Sequence, residues 1–292
     1  MNQKYKMAEN PQPIISWEEY EKCLMETYND LLKNHSDKER VFQNFFEKHP
    51  SFIPGSYKLL GTSGHFPYRD CLISEPEVGT IFKRKPDFVW LAQDSLTFCP
   101  VLIEIERPNK KSFKTNGEIS ADFNQAIGQI DQWRAALRKP ENLLFFYEFF
   151  EVPDYIRKKQ FFPQFGLIYG RREEYEGNVL LTQARVSKQR DDVSIMSFDR
   201  LHPHRDCSNL MCVRIKPSKN TFRYHIISIP ATFTYSPMRA EVLSRVSGFI
   251  NKIDEMEYTS PNRKQFLKDR YEYWADFGKT EDKGIITSGD KE

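Results

Sequence analysis

A short apolar hairpin interrupted by three acids constrains this sequence most. Two apolar runs, residues 88–90 and 101–105, predict paired strands that are buried on both faces. Asp87 precedes the first run, Glu104 lies inside the second, and Glu106 follows it. An isolated ionised carboxylate in such a place is strongly destabilising unless a cation compensates it. The hairpin therefore predicts either ion pairs within the protein or a bound metal ion.

The spacing of the acids indicates which kind of metal would fit. Glu104 and Glu106 are two residues apart, so on a strand their side chains point to the same face. The hairpin would bring Asp87 beside them and complete a site made only of oxygen atoms. Magnesium, or manganese in its place, prefers that ligand set. The alternative is a set of structural ion pairs in which Arg84, Arg107 and Lys110 neutralise the acids.

The order of several motifs resembles a known family. Pro86-Asp87 followed by Glu104-x-Glu106 resembles the PD-(D/E)xK nuclease signature in its E-x-E form. The wider pattern is similar to the nuclease domain of the Shedu family of bacterial anti-phage proteins, over residues 36–205. It consists of Phe45-Phe46-Glu47-Lys48-His49-Pro50, Ile103-Glu104-Ile105-Glu106-Arg107-Pro108, Ala126-Ile127-Gly128-Gln129-Ile130-Asp131-Gln132-Trp133, Phe165-Gly166-Leu167-Ile168-Tyr169-Gly170-Arg171 and Met196-Ser197-Phe198-Asp199-Arg200-Leu201. The family usually has Lys where this chain has Glu106.

Helical and strand patterns alternate along the chain, which predicts an α/β fold, an α+β sandwich with a mixed central sheet. The patterns predict helices over 17–34, 118–139 and from 236 to 250, with a further helix from Ser260-Pro261. They predict strands over 70–74, 79–82, 142–147, 165–170 and 193–198, with a hairpin around 216–220. The resemblance implies that the sheet is restriction-endonuclease-like and flanked by helices.

The same patterns and the resemblance divide the chain into four parts. Residues 1–35 are expected to form an N-terminal arm and helix, and 36–205 the PD-(D/E)xK nuclease domain. Residues 206–278 are expected to form a C-terminal extension of a β-hairpin plus helices. The Gly-, Asp- and Lys-rich residues 279–292 predict a disordered tail.

The resemblance implies a metal-dependent endodeoxyribonuclease in which Mg²⁺ activates water to hydrolyse phosphodiester bonds. It implies that Asp87 and Glu104 bind the metal directly. Glu106 would act as general base or through a water on the metal, in place of the usual Lys. Two alternatives stay open. Glu106 leaves room for a catalytically weak or inactive nuclease-fold protein that binds DNA or regulates, and the fold leaves room for an RNA-cutting relative.

Two further residues have competing interpretations. The resemblance implies that Glu39 helps to hold the metal, whereas the pattern Ser36-x-x-Glu39 is itself a capping box that would occupy this side chain locally. The resemblance likewise implies that Gln129 approaches the active site, with Trp133 packed one turn away. The alternative is a surface Gln next to a core Trp.

Cations flank the acids on both sides and are candidates for contacts with the nucleic-acid backbone. They are Lys83, Arg84, Lys85, Arg107, Lys110, Lys111 and Lys114. The expected partner is DNA of phage or plasmid origin, double-stranded. Each cation could equally be an ordinary solvated surface residue. Because the net charge is only +2, any binding to nucleic acid must depend on local patches of positive charge.

Composition indicates the cellular setting. No apolar run approaches the roughly 18 to 20 residues that a membrane span needs, and the first residues lack an apolar signal core. The five cysteines are scattered and odd in number, which argues against a disulfide framework. These features predict a cytoplasmic protein without a membrane partner. The resemblance implies a homo-oligomer, either a dimer or a tetramer.

Overall fold

The computed structural model describes residues 8, 10–59, 64–78, 81–215, 224–237, 239–280 and 292. Within these residues the protein is a mixed α/β fold built on a nine-stranded sheet. The helices are α1 (Trp17–Asn34), α2 (Glu39–Lys48), α3 (Ala121–Leu137), α4 (Pro140–Phe149), α5 (Asp154–Arg157), α6 (Val179–Val186), α7 (Ala240–Leu243), α8 (Phe249–Asp254) and α9 (Pro261–Phe277). The strands are β1 (Cys71–Ser74), β2 (Phe88–Gln93), β3 (Thr97–Ile105), β4 (Gln160–Phe161), β5 (Gln164–Ile168), β6 (Val193–Met196), β7 (Met211–Ile215), β8 (Tyr224–Ser228) and β9 (Val246–Ser247).

The strands follow the order β6-β5-β3-β2-β1-β7-β8-β9, and β4 pairs with β3 beside β5. The predicted hairpin forms at the centre of this sheet, where β2 and β3 pair antiparallel. Parallel pairs β3–β5, β5–β6 and β1–β7 extend the sheet on either side. The mixed sheet expected from the sequence is therefore confirmed, and the C-terminal strands β7 to β9 continue it without a break.

Two hydrophobic cores cover the two faces of the sheet. Alternate residues of β2 separate cleanly: Val89 and Leu91 join the core beneath α3, α4 and α9, while Phe88 and Trp90 join the core beneath α1 and α2. Both sets are fully buried. A strand buried on both faces explains why β2 and β3 are apolar at nearly every position.

Local signals in the sequence set several helix starts correctly. The Ser16 side chain accepts a hydrogen bond from the backbone N–H of Glu19 at 3.2 Å and caps α1, which confirms the helix over 17–34. Ser260 caps α9 in the same way, with Pro261 at the first helical position. The strands expected over 70–74, 165–170 and 193–198 correspond to β1, β5 and β6.

Three predicted elements are wrong or incomplete. Residues 142–147 form part of α4 and not a strand, because Pro140 begins a helix whose Phe146 is buried while Leu144 is exposed. Ile81 and Phe82 lie in no strand, and residues 79–80 of that prediction lie outside the described residues. The helix expected from 236 to 250 is two short helices, α7 and α8, separated by β9 and by Gly248 at φ +82°.

Some predictions fall on parts of the chain that are not described. The turn at 216–220 lies outside the described residues, although β7 and β8 on either side of it pair antiparallel as expected. Most of the predicted arm and of the predicted tail also lies outside them. Among the described helices, none has the length and apolar character that crossing a membrane demands.

Candidate functional site

The β2–β3 hairpin brings Asp87 and Glu104 together. The register pairs Phe88 with Ile103, so Asp87, one residue before β2, lies opposite Glu104 near the end of β3. The Oδ2 atom of Asp87 accepts a hydrogen bond from the backbone N–H of Ile105 at 2.7 Å. That bond fixes one carboxylate oxygen of Asp87 and leaves the other available for a ligand.

Glu106 and Glu39 complete what we call the acid cluster, consisting of Glu39, Asp87, Glu104 and Glu106. Glu106 directly follows β3, and its backbone N–H donates to the carbonyl of Ile168 on β5 at 3.0 Å. Glu39 is the first residue of α2. The carboxylates of Glu39 and Glu106 both raise the pKa of Asp87, so all the acids lie within electrostatic range of one another.

Within the acid cluster, Glu104 is the carboxylate whose negative charge has the least compensation from water or from cations. Glu104 is 9% exposed, and its Oε2 atom has no hydrogen-bond partner among the described residues. Burial raises the pKa of Glu104 well above its ordinary value, and the charges of Asp87, Glu106 and Glu39 raise it further. Arg84 opposes this increase only in part. A carboxylate in this environment favours either a proton or a cation.

Asp87 and Glu39 respond to the same surroundings. Burial raises the pKa of Asp87 most strongly, while the hydrogen bond from Ile105 lowers it. Partial burial also raises the pKa of Glu39, followed by the charge of Glu106, whereas Lys110 and Arg107 lower it. Several carboxylates with raised pKa values in one place are typical of functional sites, although structural clusters also occur.

The capping interpretation of Glu39 does not hold in the structure. The helix α2 begins at Glu39, its N-cap residue is Lys38, and no side chain caps it. Ser36 instead accepts, through its backbone carbonyl, a hydrogen bond from the N–H of Asn109 at 3.1 Å. The Glu39 side chain is therefore not occupied by a capping box, and its charge interacts with that of Glu106.

Lys110 neutralises Glu106 directly. Its Nζ atom lies 2.5 Å from Oε2 of Glu106, and both side chains are largely buried. Glu106, where the resemblance would lead one to expect Lys, is therefore paired with a lysine four residues later in the chain. This ion pair is one of those that the structural alternative predicted, while the corresponding cation for Glu104 is more distant.

Gln129 and Trp133 of α3 both contact Arg84. The Nη1 atom of Arg84 donates to Oε1 of Gln129 at 3.3 Å, and Nε1 of Trp133 donates to the Arg84 carbonyl at 2.8 Å. Gln129 is buried, so the interpretation as a surface Gln is wrong. Gln129 and Trp133 thus hold Arg84, the cation that lowers the pKa of Glu104.

The other predicted lysines differ in their exposure and in their ion-pair partners. Lys83 and Lys111 are exposed. Lys85 lies 3.4 Å from Glu75, and Lys114 pairs with Glu118 at 2.9 Å in an exposed ion pair. Exposed pairs of this kind contribute little to stability, so these lysines can exchange their partners for other anions.

Sequence reasoning missed Glu75, which lies next to the site. Its backbone N–H donates to the carbonyl of Asp87 at 2.8 Å, and its charge raises the pKa of Asp87. Its φ of +43° is uncommon for a residue with a side chain. Arg214 of β7 donates to its Oε2 at 3.0 Å and to Oε1 of Glu47 at 2.8 Å. Only the β1–β2 and β1–β7 pairings bring these residues together.

Glu47 is a further acid that the fold buries. It accepts a hydrogen bond from the hydroxyl of Ser74 at 2.5 Å. The guanidinium of Arg214 compensates its charge. This pairing depends on a strand more than 160 residues later in the chain, so no local pattern around Glu47 indicates it.

The acid cluster could hold a magnesium ion through two side chains. Among the described residues, no three Asp, Glu, His or Cys side chains are arranged so that they alone could hold a metal. Magnesium commonly binds one or two carboxylates and keeps several waters. The free oxygen of Asp87 and the orphaned Oε2 of Glu104 are two hard donors of the required kind. The residues present therefore fit a magnesium ion whose remaining ligands are water or substrate.

Comparison with models of protein families identifies the family of this chain. Residues 36–202 match the family model described as Shedu protein SduA, C-terminal. Comparison with curated proteins gave no significant match. The matched segment contains the whole acid cluster, Arg84 and the α3 pair. Because the match covers more than half of the sequence, the chain belongs to the Shedu family, and this membership indicates a role in anti-phage defence.

Proposed function

We propose that the acid cluster is the active site of a metal-dependent DNA endonuclease that acts in defence against phage. The observation that carries the proposal is the buried Oε2 atom of Glu104, which has no hydrogen-bond partner in the described structure and lies among three further carboxylates. Family membership supports the same assignment, and the mixed sheet with flanking helices supports a restriction-endonuclease-like fold.

In this proposal Asp87 and Glu104 hold Mg²⁺ or Mn²⁺, with Glu39 contributing through water. A bound Mg²⁺ screens the charge of the phosphodiester and makes water a better nucleophile. The peptide N–H of Ile105 orients Asp87 by its 2.7 Å hydrogen bond. Orientation of this kind matters because a ligand oxygen that is held in place needs no reorganisation when substrate binds.

Glu106 and Lys110 have separate roles in the proposed reaction. Glu106 accepts a proton from the attacking water, and Lys110, 2.5 Å from its Oε2, stabilises the negative charge that develops beside it. Arg84, held by Gln129, lies near enough to influence Glu104 and is placed to contact a phosphate oxygen. Lys83, Lys85, Arg107, Lys111 and Lys114 are then candidates for contacts to the flanking DNA phosphates.

Cleavage of supercoiled plasmid DNA tests the proposal. The wild-type protein should nick or cut in Mg²⁺ or Mn²⁺ and stop in EDTA. Asp87→Asn and Glu104→Gln, which keep the side-chain shapes, should each slow cleavage at least about 100-fold, or roughly 3 kcal/mol of barrier. Glu272→Gln makes the same change at an exposed position of α9, away from the acid cluster; it is the matched control and should retain full activity.

Two outcomes would redirect the assignment. Cleavage of RNA in place of DNA, with the same dependence on Asp87 and Glu104, would identify an RNA-cutting relative. Retardation of DNA in a gel without cleavage in any metal would favour a binding or regulatory protein. The ion pair between Lys110 and Glu106 is the observation that favours this second candidate, since the ammonium group occupies the carboxylate that would have to contact the attacking water. The homo-oligomer stays a prediction that sedimentation would test.

A further inference from the structure

A cavity of about 260 Å³, which we call the α2 cavity, shares no lining residue with the acid cluster. Its walls come from α1, the end of α2, residues 227–231 at and after the end of β8, and α8 with the segment that follows it. It lies where the matched family segment meets the C-terminal strands and helices. Nothing in the proposed nuclease chemistry uses it.

The volume of the α2 cavity limits the size of its ligand. An engineered protein cavity of about 150 Å³ holds one benzene ring. The α2 cavity, at about 260 Å³, therefore has room for a fused bicyclic ring but lies below the range of about 300 to 1,000 Å³ typical of drug-sized ligands.

The charges around the α2 cavity cancel in pairs. Lys48 pairs with Glu257 and Lys252 with Glu255, each at 2.6 Å. The third acid in the wall, Glu47, is compensated by Arg214. Because each charged side chain of the lining has a partner of opposite charge, the lining offers a charged ligand no net opposite charge, which favours an uncharged molecule.

Aromatic and polar groups converge inside the α2 cavity. The rings of Tyr20 and Tyr258 lie edge to face with centroids 6.1 Å apart, and His49 packs against Tyr20 at 6.2 Å. The hydroxyl of Tyr20 is 3.1 Å from Nδ1 of His49. Among the described residues no group hydrogen-bonds Nε2 of His49. Burial lowers the pKa of His49 to about 4, so at neutral pH this atom is one donor or one acceptor, as its tautomer dictates.

We propose that the α2 cavity binds a purine base, either of a free nucleoside or at the end of a DNA strand. A purine is fused, flat and uncharged, and it carries both donors and acceptors on its edge. Its ring would pack against Tyr20 and Tyr258, and its edge would hydrogen-bond His49. A pyrimidine nucleoside would leave part of the space unfilled and should bind more weakly.

Titration calorimetry with adenosine, guanosine, cytidine and a short single-stranded oligodeoxyadenylate tests the proposal on the full chain. Ile227→Trp fills the cavity and should weaken purine binding at least about tenfold. Ile250→Trp makes the same change on an exposed part of α8 that does not line the cavity and should leave binding unchanged. Tyr20→Phe keeps the ring, removes the hydroxyl that holds His49 and should weaken binding several-fold.

Each outcome either identifies the source of the purine base or contradicts the proposal. Nucleoside binding that Ile227→Trp removes identifies a free-nucleoside site, whereas oligonucleotide binding alone with the same sensitivity identifies a strand-end site. Purine binding absent up to about 1 mM, matched by cytidine, or unaffected by both Ile227→Trp and Tyr20→Phe would overturn the proposal. None of these readouts requires cleavage, so the result stands whether or not the acid cluster is a nuclease.

Discussion

Glu104→Gln should make the metal-free protein more stable. Glu104 is almost fully buried, and its Oε2 atom lacks a partner within the described part of the chain. The amide removes the charge and supplies N–H groups toward the neighbouring carboxylates of Asp87 and Glu106. Leaving one buried polar atom unsatisfied costs about 1 to 3 kcal/mol, so we expect a gain of about 2 kcal/mol in the free energy of unfolding.

The pH dependence of this gain identifies its cause. In the folded protein the pKa of Glu104 lies above its value of about 4.3 in an unfolded chain. The folded state therefore holds the proton more tightly, and wild-type stability is greatest below the unfolded pKa and falls as pH rises through the folded pKa. Glutamine does not titrate, so its advantage should be small near about pH 4 and greatest at alkaline pH, above the raised pKa of Glu104.

Thermal unfolding in EDTA measures the effect. A gain of about 2 kcal/mol corresponds to a Tm increase of roughly 4 °C for a chain of this size. Added Mg²⁺ should stabilise the wild-type protein and have little effect on Glu104→Gln, since a ligand stabilises only the state that binds it. The exposed control Glu272→Gln should match wild type throughout. A variant no more stable than wild type at high pH, or equally stabilised at both pH values, would refute the reasoning.

Three further predictions follow from the surrounding ion pairs. Lys110→Met removes a charge that lowers the pKa of Glu39, so the acid limb of the pH profile of DNA cleavage should move to higher pH; an unchanged limb would separate Glu39 from catalysis. Arg214→Met leaves buried Glu47 without its cation and should lower the free energy of unfolding in urea by about 2 kcal/mol, while a loss near zero would show that Ser74 suffices. Lys111→Ala should weaken DNA binding and reduce the slope of log affinity against log salt by about 1, and an unaltered slope would place Lys111 off the DNA path.

Local patterns predicted the centre of the fold well. The β2–β3 hairpin follows from two apolar runs with a polar turn between them, and the start of α1 follows from the Ser16 cap. The apolar run at 142–147 resembles a strand because a short run of this kind lacks a clear period, and Pro140 just before it is the signal that indicates a helix.

The acids themselves could be identified from sequence, but their environments could not. Asp87 and Glu104 stand out because carboxylates are rare among buried apolar residues. The contributions of Glu75 and Glu47 depend on the pairing of β1 with β2 and β7, and Arg214 lies far away in sequence. Likewise, the hydrogen bond from Arg84 to Gln129 joins the segment before β2 to α3, and Arg84 also lowers the pKa of Glu104. Contacts between distant segments leave no periodic pattern in either segment.

The parallel pairing of β1 with β7 has a practical consequence for anyone who wishes to shorten the protein. The family match ends at residue 202, but the sheet continues through β7, β8 and β9. A fragment that stops at the end of the match would turn β1 into an edge strand with unsatisfied backbone groups, which promotes aggregation. It would also remove the guanidinium that compensates Glu47. Fragments for crystallisation or binding studies should therefore retain the C-terminal strands.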